Sequence, residues 1–237
     1  MTDLEERISI RKPTTDRPLL GLTILVVEDS RYACEMLRLM CLRSGARIRR
    51  ADCLASAQRH LKVYRPSVVI IDMGLPDGSG RDLIARLAQA SPRIGVILAI
   101  SGDDGAREAA LAAGVDGFLE KPLDTLARFQ EAVLAHLPQG ARPKGPRALP
   151  SERIIADRTA LRDDIAHVAD LLEARQDRRT LDYVAQFLGG VARAARDRPL
   201  AAAAAELAGC RSAESRRSTV ARVIAMLHAR AELPAPI

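Results

Sequence analysis

Five side chains carry the chemistry of this sequence: Glu28, Asp29, Asp72, Ser101 and Lys121. Each ends, or closely follows, a short apolar run. Glu28 and Asp29 follow 22–27, Asp72 follows 68–71, Ser101 follows 95–100, and Lys121 comes just past 115–119. If the first two runs are neighbouring parallel strands, three carboxylates converge at one sheet edge. Like charges packed together are costly unless something offsets them. A hard divalent cation does so, and Mg²⁺ prefers oxygen ligands with several retained waters. An acid cluster, a hydroxyl and a lysine at one edge make a phosphoryl-handling site. The metal and the lysine neutralise charge on the transferring group while a carboxylate attacks it.

The elements that must hold these residues follow from the same runs. Fully apolar strands flanked by helical patterns imply a parallel sheet covered on both faces. A weaker strand lies at 47–51, and helices are expected over 31–43, 54–63, 80–90, 104–113 and 123–137. Gly45 and Gly114 read as helix C-terminal glycines. A five-fold strand–helix alternation is a doubly wound, flavodoxin-like α/β domain. Ligands in such sheets bind at the carboxyl ends of the strands, where the five residues fall.

The quoted residues resemble the receiver domains of two-component response regulators. The match runs from Leu22 to about Leu137. It includes Ile24-Leu25-Val26-Val27-Glu28-Asp29-Ser30, Ile71-Asp72-Met73-Gly74-Leu75-Pro76-Asp77-Gly78-Ser79-Gly80, Ile100-Ser101-Gly102 and Phe118-Leu119-Glu120-Lys121-Pro122. The resemblance implies that Asp72 accepts a phosphoryl group and that Glu28, Asp29, Asp72 and the Gly74 carbonyl hold Mg²⁺. It implies that Ser101 and Lys121 bind the phosphoryl oxygens, and that Phe118 moves inward with Ser101. Phe118 lacks the hydroxyl of the commoner tyrosine. The Lys121–Pro122 bond is of the kind that tolerates the cis form.

Composition narrows the rest. Aromatics are 3% with no Trp, which argues against a base-stacking platform for single strands. Cys34, Cys41, Cys53 and Cys210 lack paired spacing and read as free thiols of a reducing cytosol. No apolar run approaches a membrane span, so the expected location is the cytoplasm of a bacterial cell. Residues 1–20 read as a flexible leader, 21–137 as the receiver, 138–150 as a Pro/Gly-rich linker and 151–237 as an all-α helical bundle. Its helices are expected near 151–175, 179–195, 199–208 and 212–231, with Ile154, Leu161, Ile165, Val168 and Leu172 on the first apolar stripe.

Four readings of the helical half stand side by side. Ala185-Gln186-Phe187-Leu188-Gly189-Gly190-Val191-Ala192 resembles the helix motif of histidine-phosphotransfer domains, with Gln186 at the reactive histidine's place and Gly189 at the lysine's. Such a bundle cannot form phosphohistidine. It would dock, through an exposed face holding Gln186, Gly189 and Gly190, on a histidine kinase or phosphorelay partner. Alternatively, His167 relays phosphate, although Asp163, Asp164 and Asp170 nearby favour its charged form. A third reading is an atypical helix-turn-helix using Arg216, Arg217 and Arg222, since residues 141–237 carry 17 Lys or Arg against 12 Asp or Glu. A fourth is homodimerisation. No enzymatic motif is visible in this half, so the expectation is a non-enzymatic response regulator acting through protein contacts.

Overall fold

The computed structural model describes residues 12–103, 105–145, 148–210 and 212–231. The first half is a parallel sheet of β1 (Thr23–Val27), β2 (Arg47–Ala51), β3 (Val68–Asp72), β6 (Val96–Ser101) and β7 (Gly117–Glu120), in the order β2-β1-β3-β6-β7. A two-stranded hairpin, β4 (Gly74–Leu75) with β5 (Gly78–Ser79), follows β3. The helices are α1 (Arg31–Arg43), α2 (Leu54–Val63), α3 (Gly80–Gln89), α4 (Ala106–Ala113) and α5 (Leu126–His136).

The pleat sorts the strand residues onto two cores. Ile24, Val26, Ile70 and Leu98 meet Met40 of α1 and Phe129 of α5 on one face. Leu25, Val27, Ile71 and Ile97 meet Ala57, Leu83 and Ala110 of α2, α3 and α4 on the other. Burial on both faces explains why these strands read as unbroken apolar runs. Gly80 opens α3 where its Cα passes the Asp72 carbonyl so closely that a Cβ would collide with it.

The second half holds α6 (Arg158–Ala174), α7 (Arg178–Ala194), α8 (Arg198–Gly209) and α9 (Ala213–Ala231). The first three are capped by Asp157, Asp177 and Asp197, whose carboxylates accept from Thr159, Thr180 and Leu200 amides. Three-residue joins make sequential neighbours antiparallel. Each helix packs on the next and α9 returns to α6, closing a four-helix ring around Val168, Leu172, Val184, Leu188, Leu207 and Val223.

The first of these helices starts at Arg158, seven residues later than the stripe predicts. Ile154 is not on the bundle's stripe at all. The chain there runs extended beside the β7–α5 connection. Leu126 N–H donates to Glu152 O (3.1 Å) and Ile154 N–H to Asp124 O (2.9 Å). Ile154 and Ala156 are buried in the α/β core beside α1 and α5. Apolar burial against the sheet domain wins over continuing the helix, and Asp157 marks the true start.

Asp197 joins two helices as well as capping one. Besides the Leu200 amide it takes two bonds from Arg230 of α9, at 2.5 and 2.9 Å, and that guanidinium holds its carboxyl below the usual range. Asp197→Ala should cost the helical domain about 1–2 kcal/mol, mostly as a lost cap. A lowered urea midpoint followed by circular dichroism checks this.

Candidate functional site

The parallel register brings the chemical residues to one edge. β1 lies beside β3, and β3 beside β6, so Glu28 and Asp29 just past β1, Asp72 ending β3 and Ser101 ending β6 line up. Carboxylate oxygens of Glu28, Asp29 and Asp72 all lie within 4.8 Å of one another. Glu28 and Asp72 are buried, and Asp29 is partly so. Lys121 Nζ reaches Glu28 Oε2 at 2.7 Å and Asp72 Oδ1 at 3.4 Å. Ser101 is buried, with its Oγ accepting from Asp103 N–H at 3.1 Å. Phe118 is half-buried on β7 with the Arg107 guanidinium 4.8 Å from its ring centre.

Burial dominates the electrostatics. It raises the Asp72 carboxyl above its ordinary value, against the pull of Lys121. Burial and the charges of Glu28 and Asp72 push Asp29 up to about 8. For Lys121, burial works against the charge, but Asp72 and Glu28 outweigh it and hold the ammonium above lysine's usual range. Fully ionised, three acids against one lysine would leave an excess of negative charge. Asp29 Oδ1 is buried without a hydrogen-bond partner. An orphaned carboxylate oxygen within an all-oxygen set fits a hard divalent cation.

Residues 24–133 match the family model of the response regulator receiver domain. They form a receiver domain. The relatives agree over that half. The KDP operon transcriptional regulatory protein of Escherichia coli K12 is 32% identical over 116 residues, 48% of this chain and 52% of that one. The virulence transcriptional regulatory protein PhoP of Salmonella typhimurium is 29% identical over 112 residues, 45% and 50% of the two chains. The chain thus spans about half the length of the curated relatives it matches. Among solved structures, the receiver domain of a sensor histidine kinase from Pseudomonas aeruginosa, with magnesium in its active-site cleft, is 25% identical. Its TM-score is 0.44, covering 48% of this chain and 96% of that one.

Two local devices shape the receiver's loops. Asp77, between the hairpin strands, accepts from the Leu54 and Ala55 amides at 2.8 and 2.9 Å and so caps α2. The Lys121–Pro122 bond is cis, as is Ser91–Pro92.

What the sequence left unread is what lies over the receiver's site. α6 and α7 pack on α1, and α7 reaches the hairpin at β4. The Tyr183 hydroxyl donates to Asp29 Oδ2 at 2.6 Å. Burial and the Asp29 charge raise that hydroxyl, keeping it a donor. Asp164, itself buried, sits on the N-terminus of α1. It accepts from Ser30 Oγ (2.7 Å), Arg31 N–H (2.8 Å) and Tyr32 N–H (3.0 Å). Arg31 also pairs with Asp163 at 2.5 Å. The Gln186 amide lies over Gly74 and the Arg193 guanidinium over Gly102, so that a Cβ at either glycine would collide with them.

Gln186 is therefore exposed on its own helix, as the sequence predicts, and placed against the receiver's hairpin. Gly189 is not exposed. It is buried facing α8, where a Cβ would meet Ala204 at 3.8 Å, while Gly190 is half-exposed with open space around it. The close crossing of α7 and α8 takes the glycine that the exposed face was expected to have. His167 is exposed, 6.3 Å from the Phe187 ring, and borders a cleft of about 520 Å³ that it shares with Glu28, Asp29, Arg50 and Tyr183. Of the three Arg of the helix-turn-helix reading, Arg222 is paired with Glu206 of α8. The four cysteines are free. Among the described residues, no helix is long and apolar enough to cross a membrane.

Proposed function

We propose that this chain is a phosphorylation switch of a two-component phosphorelay. Asp72 accepts the phosphoryl group, and the helical bundle is the output, acting through protein contact on a histidine kinase or histidine-phosphotransfer partner. In the transfer, an Asp72 carboxylate oxygen attacks phosphorus and the P–N bond of a donor phosphohistidine breaks. The electron pair leaves with the imidazole, and an acyl phosphate remains. Glu28, Asp29, Asp72 and the Gly74 carbonyl would hold Mg²⁺, which when bound offsets charge on the phosphoryl oxygens. Lys121 supplies a second fixed charge from 3.4 Å, and Ser101 a hydroxyl that turns from the Asp103 amide to a phosphoryl oxygen. Phe118 is placed to follow it.

One observation carries the output half of this reading: α6 and α7 sit on the acceptor site itself, through Asp164, Tyr183, Gln186 and Arg193. A change of charge and volume at Asp72 therefore acts directly on the bundle. The closed up-down ring of four helices also favours the phosphotransfer-like reading. The competing reading is transcriptional control, which the names of the two curated relatives describe for those proteins. DNA footprinting at physiological salt separates the two. The expected result is weak binding that ignores sequence and falls steeply with salt. A sequence-specific footprint lost on changing Arg216 and Arg217 to Ala would replace protein contact with DNA as the output.

A further inference from the structure

We propose that the helical domain is a gate on its own receiver. In the unphosphorylated chain the α6–α7 face closes the acceptor site, latched by Asp164 and Tyr183. Opening must precede phosphorylation, and the phosphorylated chain is held open. The inference rests on the reading of Asp72 as the acceptor and adds the regulation of that site.

The argument is one of room and of contacts. Asp72 lines a cavity of about 30 Å³, bounded by Ser101 and Lys121 on the receiver and by Gln186, Gly190 and Arg193 on α7. Such a space holds a water or two. It does not hold a tetrahedral phosphoryl group, still less one attached to its donor. The larger cleft of about 520 Å³ shares Glu28 and Asp29 with this cavity, and Asp72 is not part of its lining. Asp29 engages Tyr183 through Oδ2 alone and leaves Oδ1 free of partners. With the bundle seated, the room beside Asp72 is therefore too small for a phosphoryl group.

The latch uses contacts that the receiver offers only in one arrangement. Asp164 takes the first amides of α1 together with the Ser30 hydroxyl, which otherwise caps that helix alone by accepting from Ala33 N–H at 3.0 Å. The seating is directional because these donors point at one place. Opening need not detach the bundle. Ile154 and Ala156, just before α6, stay buried in the receiver core and keep the helical domain tethered beside the site. The face of α7 that carries Gln186 also lines the cavity at Asp72, so a protein donor approaching from that side would meet α7 first. The gate therefore hinders a protein donor on that side.

The test uses the full-length chain, acetyl phosphate and Mg²⁺. Asp164→Asn with Tyr183→Phe weakens the latch with almost no change of volume, since the amide keeps one of the two acceptor oxygens of Asp164 and the phenyl ring loses the donor to Asp29. Gln186→Trp, on an exposed position, wedges α7 from Gly74 without touching the latch. Labelling is followed by intact mass, and docking by amide exchange over residues 30–33 and 178–194. Both variants should label at least ten-fold faster than wild type, with faster exchange before any donor is added. Wild type should reach that faster exchange only once labelled. An unchanged labelling rate in both variants overturns the gate. So does wild-type exchange that slows on labelling, for then Arg193 would be closing on the phosphoryl group. Absence of labelling in every chain, or labelling that Asp72→Asn retains, removes the acceptor reading instead.

Discussion

With acetyl phosphate and Mg²⁺, the wild-type chain should gain one phosphoryl group and Asp72→Asn none. The amide matches the carboxylate in size, so the site should keep its shape and lose the proposed nucleophile. Glu28 is buried with its Oε2 held at 2.7 Å by Lys121, and Asp29 is held at 2.6 Å by the Tyr183 hydroxyl. Asp72 ends β3 with Lys121 Nζ 3.4 Å from its Oδ1 and shares the small cavity with Ser101, where a transferring group would be stabilised by fixed dipoles and charge. Intact-mass measurement reads the outcome directly. A full mass increment on the Asp72→Asn variant would move the acceptor elsewhere and leave the Lys121 pairing as a structural contact.

The acid site was legible because its residues stand at the ends of apolar runs, and in a parallel sheet such ends share one edge. Glu28, Asp29, Asp72, Ser101 and Lys121 thus come together from chain order alone. The site's cover was not legible, for a physical reason. Asp164 reads in the sequence as a surface acid near His167, yet two of its three partners are backbone amides more than 130 positions away, at Arg31 and Tyr32. A backbone donor has no residue type to announce it. Tyr183 sits on the flank of the α7 stripe, where a helical count sees a boundary residue and not a donor to Asp29. The start of α6 was misplaced because Ile154 happens to fall in phase with Leu161, Ile165 and Leu172. The visible signal against that phase was Asp157, a strong N-cap just ahead of Arg158.

Asp29→Asn should abolish metal-dependent labelling and, with no metal present, make the fold more stable. Both effects come from one carboxylate. Its Oδ1 is a buried oxygen of the cluster without a hydrogen-bond partner, so removing its charge would remove a proposed metal ligand that no other contact is using. Its folded pKa lies above the ordinary carboxylate value, pushed up to about 8 by burial and then by Glu28 and Asp72. A raised carboxyl pKa means that the native state binds the proton more tightly than the unfolded chain. The group's contribution to stability is therefore fully present below the unfolded value, near 4, and is lost as the pH climbs toward 8. The amide carries no charge and escapes that loss, while its side-chain oxygen can still accept from Tyr183. Melts in EDTA should place the Asp29→Asn and wild-type chains close together near pH 4 and separate them by pH 8. The variant should then be on the order of 1 kcal/mol more stable, or roughly 2–4 °C in Tm for a chain of this size. Adding Mg²⁺ at pH 8 should raise the wild-type Tm, since a ligand bound only by the native state stabilises it by mass action. The variant should respond little. A wild-type chain that melts higher than Asp29→Asn at pH 8 in EDTA would mean that the three carboxylates are offset by contacts within the protein, and that the cluster is not strained toward a cation.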